Sequence, residues 1–338
     1  MMVRNVVLAG LLLTSAPALA NDSEAALGLG GLLFEHNAQI AMESEDLFLS
    51  AEKVDVRYTY RNTSTRPLTI LVAFPLPDVP LEGQDWDWME ASYPDWDDIG
   101  MVTRVQGQEV QLMRIDIPKV AGKDVSARLK AEGWPVRFWQ DAGLDARLNA
   151  LSADDKSALV AEGLLTREGM EGQDVRPAWS VSTSFVRTQT FPPGVAVTVQ
   201  HSYTPRLGGS VASALDRDAR EESMPGRGGY TSTYCVDQAF LRGYDRKRYK
   251  PDGGRNHLVY PVETWLNYTL STGANWKGPI KRFRLTVDKG SPDALLSLCM
   301  DGIRKISPTR FEVVKTDFEP DRDLELLIVR MIPTEGGQ

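Results

Sequence analysis

The sequence predicts a mainly β protein: two antiparallel β-sheet units, sandwich-like or two sheets at an angle, with a small α-helical insertion. Three observations predict it. Residues 54–61 alternate, with Val54, Val56, Tyr58 and Tyr60 on one face and Asp55, Arg57, Thr59 and Arg61 on the other, the period of a half-buried strand. The stretch WSVSTSFVRTQTFPPGVAVTVQHSY doubles back at Pro192-Pro193-Gly194, as a hairpin does. Between about residues 123 and 173 the period changes from that of a strand to that of a helix.

Residues 1–20, MMVRNVVLAGLLLTSAPALA, carry one early cation at Arg4, an apolar run from Val6 to about Leu13 and the small-residue exit Ala18-Leu19-Ala20. That is the pattern of a signal peptide, with cleavage expected after Ala20. Ser15 and Pro17 break the run short of the ~20 apolar residues that span a bilayer. No later run is long or apolar enough, so the mature chain is expected to lack a transmembrane segment and to be periplasmic or secreted.

An N-terminal β domain is expected over residues 21–206. After the strand at 54–61, PLTILVAFPLP sets Leu68, Ile70, Val72 and Phe74 on one side and ends in prolines, which cannot continue a ladder. Met101 to Ile117 reads as a hairpin turning at Gln106-Gly107-Gln108. Within the insertion at 123–173, Asp124 is expected to cap a short helix stopped by Gly133, and Leu144, Leu148 and Leu151 share one stripe. Ser152 and Asp155 stand in capping-box spacing before a further helix that closes at Gly163. So small a piece is not expected to own a core.

Residues 207–229 are rich in glycine and charge with little apolar period, and are expected to be a linker. A C-terminal β domain is expected over 230–335. Val236, Phe240 and Tyr244, spaced by four, mark a helix, and strands follow at 263–270, 280–288, 294–300, 310–316 and 323–332. The last of these is apolar on both faces, which suits a central strand. Cys235 and Cys299 are the only cysteines and are expected to form a disulfide after export, with a stabilisation of roughly 4 kcal/mol.

With 38 Lys plus Arg against 46 Asp plus Glu, the net charge is −8, and loss of Arg4 with the leader makes it more negative. Nucleic acid is therefore not an expected partner. His36, His201 and His257 do not lie at ligand spacing, and HExxH and CxxC are absent, so no metal site is assigned. His201 is expected to hydrogen-bond within the sheet. No GxGxxG, Walker loop or GxSxG elbow occurs, so no cofactor and no catalytic residue is assigned.

The segment Gln84 to Asp98, QDWDWMEASYPDWDD, stands apart for its aromatic and acidic content. As a binding site, Trp86, Trp88, Tyr93 and Trp96 would make a platform for a sugar ring or lipid headgroup, with Asp85 and Asp87 accepting from hydroxyls. A calcium loop built from Asp85, Asp87, Asp95, Asp97 and Asp98 lacks the spacing and closing Glu of an EF-hand. The favoured reading is a surface loop whose tryptophans fold back as a lid while its acids face water. The basic run Arg242 to Arg255 is its opposite pole, either a solvated helix face or a docking partner for the acidic segment.

The segments RYTYRNTSTRPLTILVAFPLPD, RTQTFPPGVAVTVQHSYTPRLGGS and LSTGANWKGPIKRFRLTVDKGSPDALLSLCMDGIRKISPTRFEVVKTDFEPDRDL resemble a bacterial family known as domain of unknown function 4424. The resemblance extends over essentially the whole mature chain. It implies an exported, mainly β protein and brings no activity, substrate or site residues to transfer. The expected function is a non-catalytic binding or interaction module of the envelope or exterior, its partner a protein, a glycan or a lipid headgroup. One competitor is an envelope-glycan hydrolase, which needs two acids facing each other roughly 5 to 9.5 Å apart in a cleft. Another is a structural envelope protein joined through a sheet edge.

Overall fold

Alternation in the sequence becomes alternation in burial. In the computed structural model, which describes residues 22–28, 31–79, 96–168, 174–211, 213–220 and 230–334, Val54, Val56, Tyr58 and Tyr60 are buried and the residues between them face outward. The chain opens with β1 (Ser23–Gly28), β2 (Gly31–Glu35), β3 (Ile40–Ser50), β4 (Val54–Asn62) and β5 (Leu68–Pro75). β6 (Val102–Val105) and β7 (Gln108–Val110) form the expected hairpin, with Gln106 at φ 51° and Gly107 at φ 79°, the left-handed pair that a tight two-residue turn requires. β8 (Met113–Val120) and β9 (Lys123–Asp124) lead into α1 (Ser126–Glu132), α2 (Leu144–Asn149), α3 (Ala153–Ala161), β10 (Leu165–Glu168) and β11 (Asp174–Pro177). β12 (Ser180–Phe191) and β13 (Ala196–Tyr203) follow, then β14 (Gly208–Ser210), α4 (Tyr230–Thr233) and α5 (Gln238–Arg248). β15 (Val259–Tyr268), β16 (Ile280–Asp288), β17 (Leu295–Leu298), β18 (Arg304–Lys305), β19 (Arg310–Phe318) and β20 (Leu324–Pro333) complete the chain.

Three larger sheets result. The first has the order β2-β1-β5-β12-β8-β9, the second β18-β19-β16-β3-β4-β13-β6-β7 and the third β14-β15-β20-β17, while β10 and β11 form a small ribbon. Among the strands of the described residues, pairing is antiparallel except between β16 and β3. The first two sheets meet face to face, Phe74 lying 5.8 Å from Tyr203 and Phe191 lying 5.9 Å from Tyr60, ring centre to ring centre. Leu266, Tyr268, Leu324 and Leu326 of the third sheet enter the same core. Trp276 is buried there against Tyr60, their ring centres 4.9 Å apart. On the other side of the third sheet, Leu327 and Val329 pack under Phe240 and Tyr244 of α5.

The sheets cut across the expected boundary at 207–229. β16 and β19, which lie beyond it, complete the second sheet. The apolar faces of β16 (Phe283, Leu285, Val287) and β3 (Leu47, Leu49) are each half of a covered surface, and side by side they bury into one core. Nor is 207–229 only a joint: Gly208–Ser210 pairs with β15, and Leu215 is fully buried.

The helical insertion packs its leucines on one another and on Trp179 and Val181 at the start of β12, in a cluster apart from the main core. Leu129, Phe138, Leu144, Leu148, Leu159 and Trp179 are among the buried residues of a separate cluster. Its bulk is aromatic, with Trp134 and Trp179 stacked at 6.0 Å and Phe138 edge-on to Trp179 at 5.3 Å. Large rings supply per residue the apolar area that so short a segment otherwise lacks. The caps are those read from the sequence in two places: Ser152 accepts from the Asp155 N–H at 3.1 Å, and Gly133 ends α1 at φ 69°. Asp124 instead accepts from the Ser126 N–H while Val125 occupies the cap position. Cys235 and Cys299 are joined with Cα atoms 5.0 Å apart, tying the segment before α5 to the end of β17.

Candidate functional site

Of the aromatic and acidic candidates, Trp86, Trp88, Tyr93, Asp85 and Asp87 lie outside the described residues. Trp96 lies inside them, in a short 3₁₀ turn with Asp97, Asp98 and Ile99, and is only 4% exposed. It joins the main core, so its ring is not an open platform. Asp97 faces outward and pairs with Arg114 and, at 2.9 Å, with Arg137. This tail of the segment has its aromatic turned in and its acid turned out.

The deepest polar cluster was not legible as a unit. Asp22 receives Arg187 Nη2 at 2.8 Å and His201 Nε2 at 3.1 Å, and Thr103 Oγ1 lies 2.7 Å from His201 Nδ1. Burial drives the His201 ring toward its neutral form, against the pull of Asp22. A neutral ring protonated at Nε2 then donates to Asp22 and accepts from Thr103, which satisfies both nitrogens. Burial alone would raise the Asp22 carboxyl, but Arg187 and His201 hold it well below the usual carboxylate range. Asp22 and His201 are both fully buried. The expectation that His201 hydrogen-bonds inside the sheet is met.

An accessible charged cleft lies on the third sheet. There the segment 213–220, the end of α5, the turn after it and the start of β15 enclose a cleft of about 330 Å³. Its floor is Asp216, which accepts from Tyr244 Oη at 2.7 Å and from Arg248 Nε and Nη2 at 2.9 and 3.2 Å. Arg255 Nη2 reaches Asp216 at 3.3 Å and Asp218 at 2.5 Å. Asp245 next to the cleft takes Arg217 and Arg220. Val211 and Tyr260 give it apolar walls and are both exposed.

The electrostatics of this cleft favour holding over proton transfer. Burial pushes the Asp216 carboxyl up, yet the hydrogen bonds from Arg248 and Tyr244 outweigh it and keep the group below the usual carboxylate range. Asp245 is lowered in the same way by Arg220 and Arg217. A lowered carboxyl group is poorly suited to the protonated role in a carboxylate pair. Two cations of the basic run, Arg248 and Arg255, pair with Asp216 and Asp218 of the expected linker, while Asp97 of the acidic segment pairs with Arg114 and Arg137. Nothing in the sequence marked Asp216, because it stands in a stretch without apolar period. The one available signal was a lone leucine, Leu215, beside a run of alternating charge.

The β15 edge beside the cleft is closed. β14 covers Glu263 to Trp265, Arg248 Nη1 occupies the Val259 carbonyl at 2.9 Å, and Pro261 has no N–H. Such an edge gives little to an added strand.

Among solved structures, a protein from Legionella pneumophila subsp. pneumophila str. Philadelphia 1 described as a "putative nutrient binding protein" is similar at 16% identity, with 92% of this chain and 72% of that one covered and a TM-score of 0.40. The M1 zinc metallopeptidase of Deinococcus radiodurans is similar at 10% identity over 87% of this chain and 43% of its own, with a TM-score of 0.27. Likenesses this low transfer no activity. No curated protein matches the chain. The family described as Domain of unknown function (DUF4424) matches residues 20–327, nearly the whole length, and this protein belongs to that family.

Proposed function

We propose that this protein is a non-catalytic binding module that is exported by a leader cleaved after Ala20 and works in the periplasm or outside the cell. A small ligand, or a short piece of a protein, glycan or lipid headgroup, occupies the cleft on the third sheet. One observation carries this reading: the guanidinium of Arg255, 38% exposed, stands over a cleft of about 330 Å³ whose acids are already paired. That volume is at the lower end of ligand sites, and a polar anchor beside an apolar wall is their usual make-up. Acids already paired with arginines support recognition by the cleft rather than bond cleavage.

A thermal-shift screen of the mature chain with envelope glycans, headgroup analogues and calcium tests the proposal. Stabilisation by at least one ligand, lost in Arg255→Ala and without product formation, is the expected result. Turnover of any glycan overturns the non-catalytic reading, and stabilisation that survives Arg255→Ala moves the site away from this cleft.

A further inference from the structure

Arg255 has a fixed backbone and a loosely held partner. Its main chain bridges to Tyr249, and the turn between them is closed by Lys250 N–H to Gly254 O at 2.8 Å and Asn256 N–H to Arg248 O at 2.9 Å. The carboxylate of Asp216 is immobilised by its several donors. That of Asp218 is different: its side chain is 70% exposed and Arg255 is its ion-pair partner. Exposed pairs contribute little to stability, so exchanging this one for another anion costs the fold little.

Among the described residues around the cleft, Arg217, Arg220, Arg248 and Arg255 balance Asp216, Asp218, Asp245 and the buried Glu263, which accepts from the lining Ser213. A guanidinium fork matches carboxylate and phosphate oxygens in geometry as well as sign. Tyr260 and Val211 offer apolar surface next to it.

We infer that the cleft recognises its ligand through an anionic group, a carboxylate or a phosphate, which displaces the Asp218 carboxylate from Arg255 while an apolar portion lies on Tyr260 and Val211. This rests on the binding reading above. Asp218 is then a tethered competitor that occupies the anion position in the empty protein. Its removal frees the fork, so Asp218→Asn strengthens anion binding, whereas loss of an ordinary contact residue weakens it.

The test uses the mature full-length chain and three probes: N-acetylleucine, its neutral isostere N-acetylleucinamide, and inorganic phosphate. Each is titrated while amide resonances of residues 213–220 and 250–260 are followed by NMR. N-acetylleucine or phosphate is expected to shift them, with the amide at least about tenfold weaker than the acid. Response to phosphate alone identifies a phosphorylated ligand, and response to N-acetylleucine alone a carboxylate; either supports the inference. Asp218→Asn should tighten the anion about tenfold and Arg255→Ala should abolish it, both with unchanged melting temperature since both side chains lie at the surface. Equal binding of acid and amide overturns the inference and leaves the binding reading standing. An Asp218→Asn affinity equal to or below that of the unmodified chain overturns the displacement. Silence of every probe, in Asp218→Asn as well, overturns the inference, and the binding reading is then decided by the thermal-shift screen.

Discussion

One buried carboxylate, Asp22, joins two other polar side chains in the interior of the sandwich. Asp22 answers the positive charge of Arg187 and fixes the tautomer of His201, and both partners are buried around it. Replacing it with Asn leaves an uncompensated guanidinium in the core, and losses of this kind cost about 3 to 5 kcal/mol. Urea unfolding of Asp22→Asn at neutral pH should show that loss in the midpoint. The pH dependence has the same origin. The folded state holds His201 below its ordinary value of 6.5, so the unfolded chain binds the extra proton first, and stability falls as pH drops below about 6.5. Asp22 is also lowered, so its contribution is present above its ordinary value of 3.8 and is lost only in stronger acid. His201→Gln should flatten the stability slope between about pH 6.5 and 5 while leaving the deeper acid transition in place. Such a cluster is invisible in sequence because Asp22, Thr103, Arg187 and His201 are brought together from four separate strands or strand ends, and none stands in a motif with another.

At the level of elements, what could be read was local. The inward set of β4, the turn of β6 and β7, and the Ser152 and Gly133 caps each depend on a few neighbouring residues, so alternation and turn chemistry were enough to place them. The cluster under the helical insertion does not show in its helix stripes, because rings between and beyond them fill it. Trp179 stands just before β12, reads as a strand residue, and supplies the centre of that core with its Nε1 bonded to Val136 O at 2.9 Å. Trp179→Ala should therefore cost about 3 to 5 kcal/mol, as ring-to-alanine changes in cores do. The loss belongs to the insertion: hydrogen exchange should accelerate across 126–177 and stay slow in β4 and β13, whose packing does not involve that cluster. Equal acceleration in both regions would mean that the insertion and the sandwich unfold as one.

For the whole molecule, the informative feature is the parallel pairing of β16 with β3, across more than two hundred residues of chain. Strand pairing at that separation leaves no trace in the periodicity of either strand, which is why a glycine-rich stretch between them passed for a boundary. A fragment ending at residue 206 keeps β3 but loses β16 and β19 beside it, with Phe283, Leu285, Val287 and Trp276 from the shared core. The side of β3 that β16 covers would become a long unpaired edge with half its apolar face in water, the condition that favours aggregation over folding. Residues 21–206 made alone should give no dispersed amide spectrum and should collect as aggregate. Co-expression with residues 207–338 should return soluble material, since the missing strands can dock in trans onto the same edge. A soluble, cooperatively melting 21–206 fragment would show that the first half folds without its partner strands. The disulfide does not alter this expectation, because Cys235 and Cys299 both lie in the second fragment and link nothing across the cut.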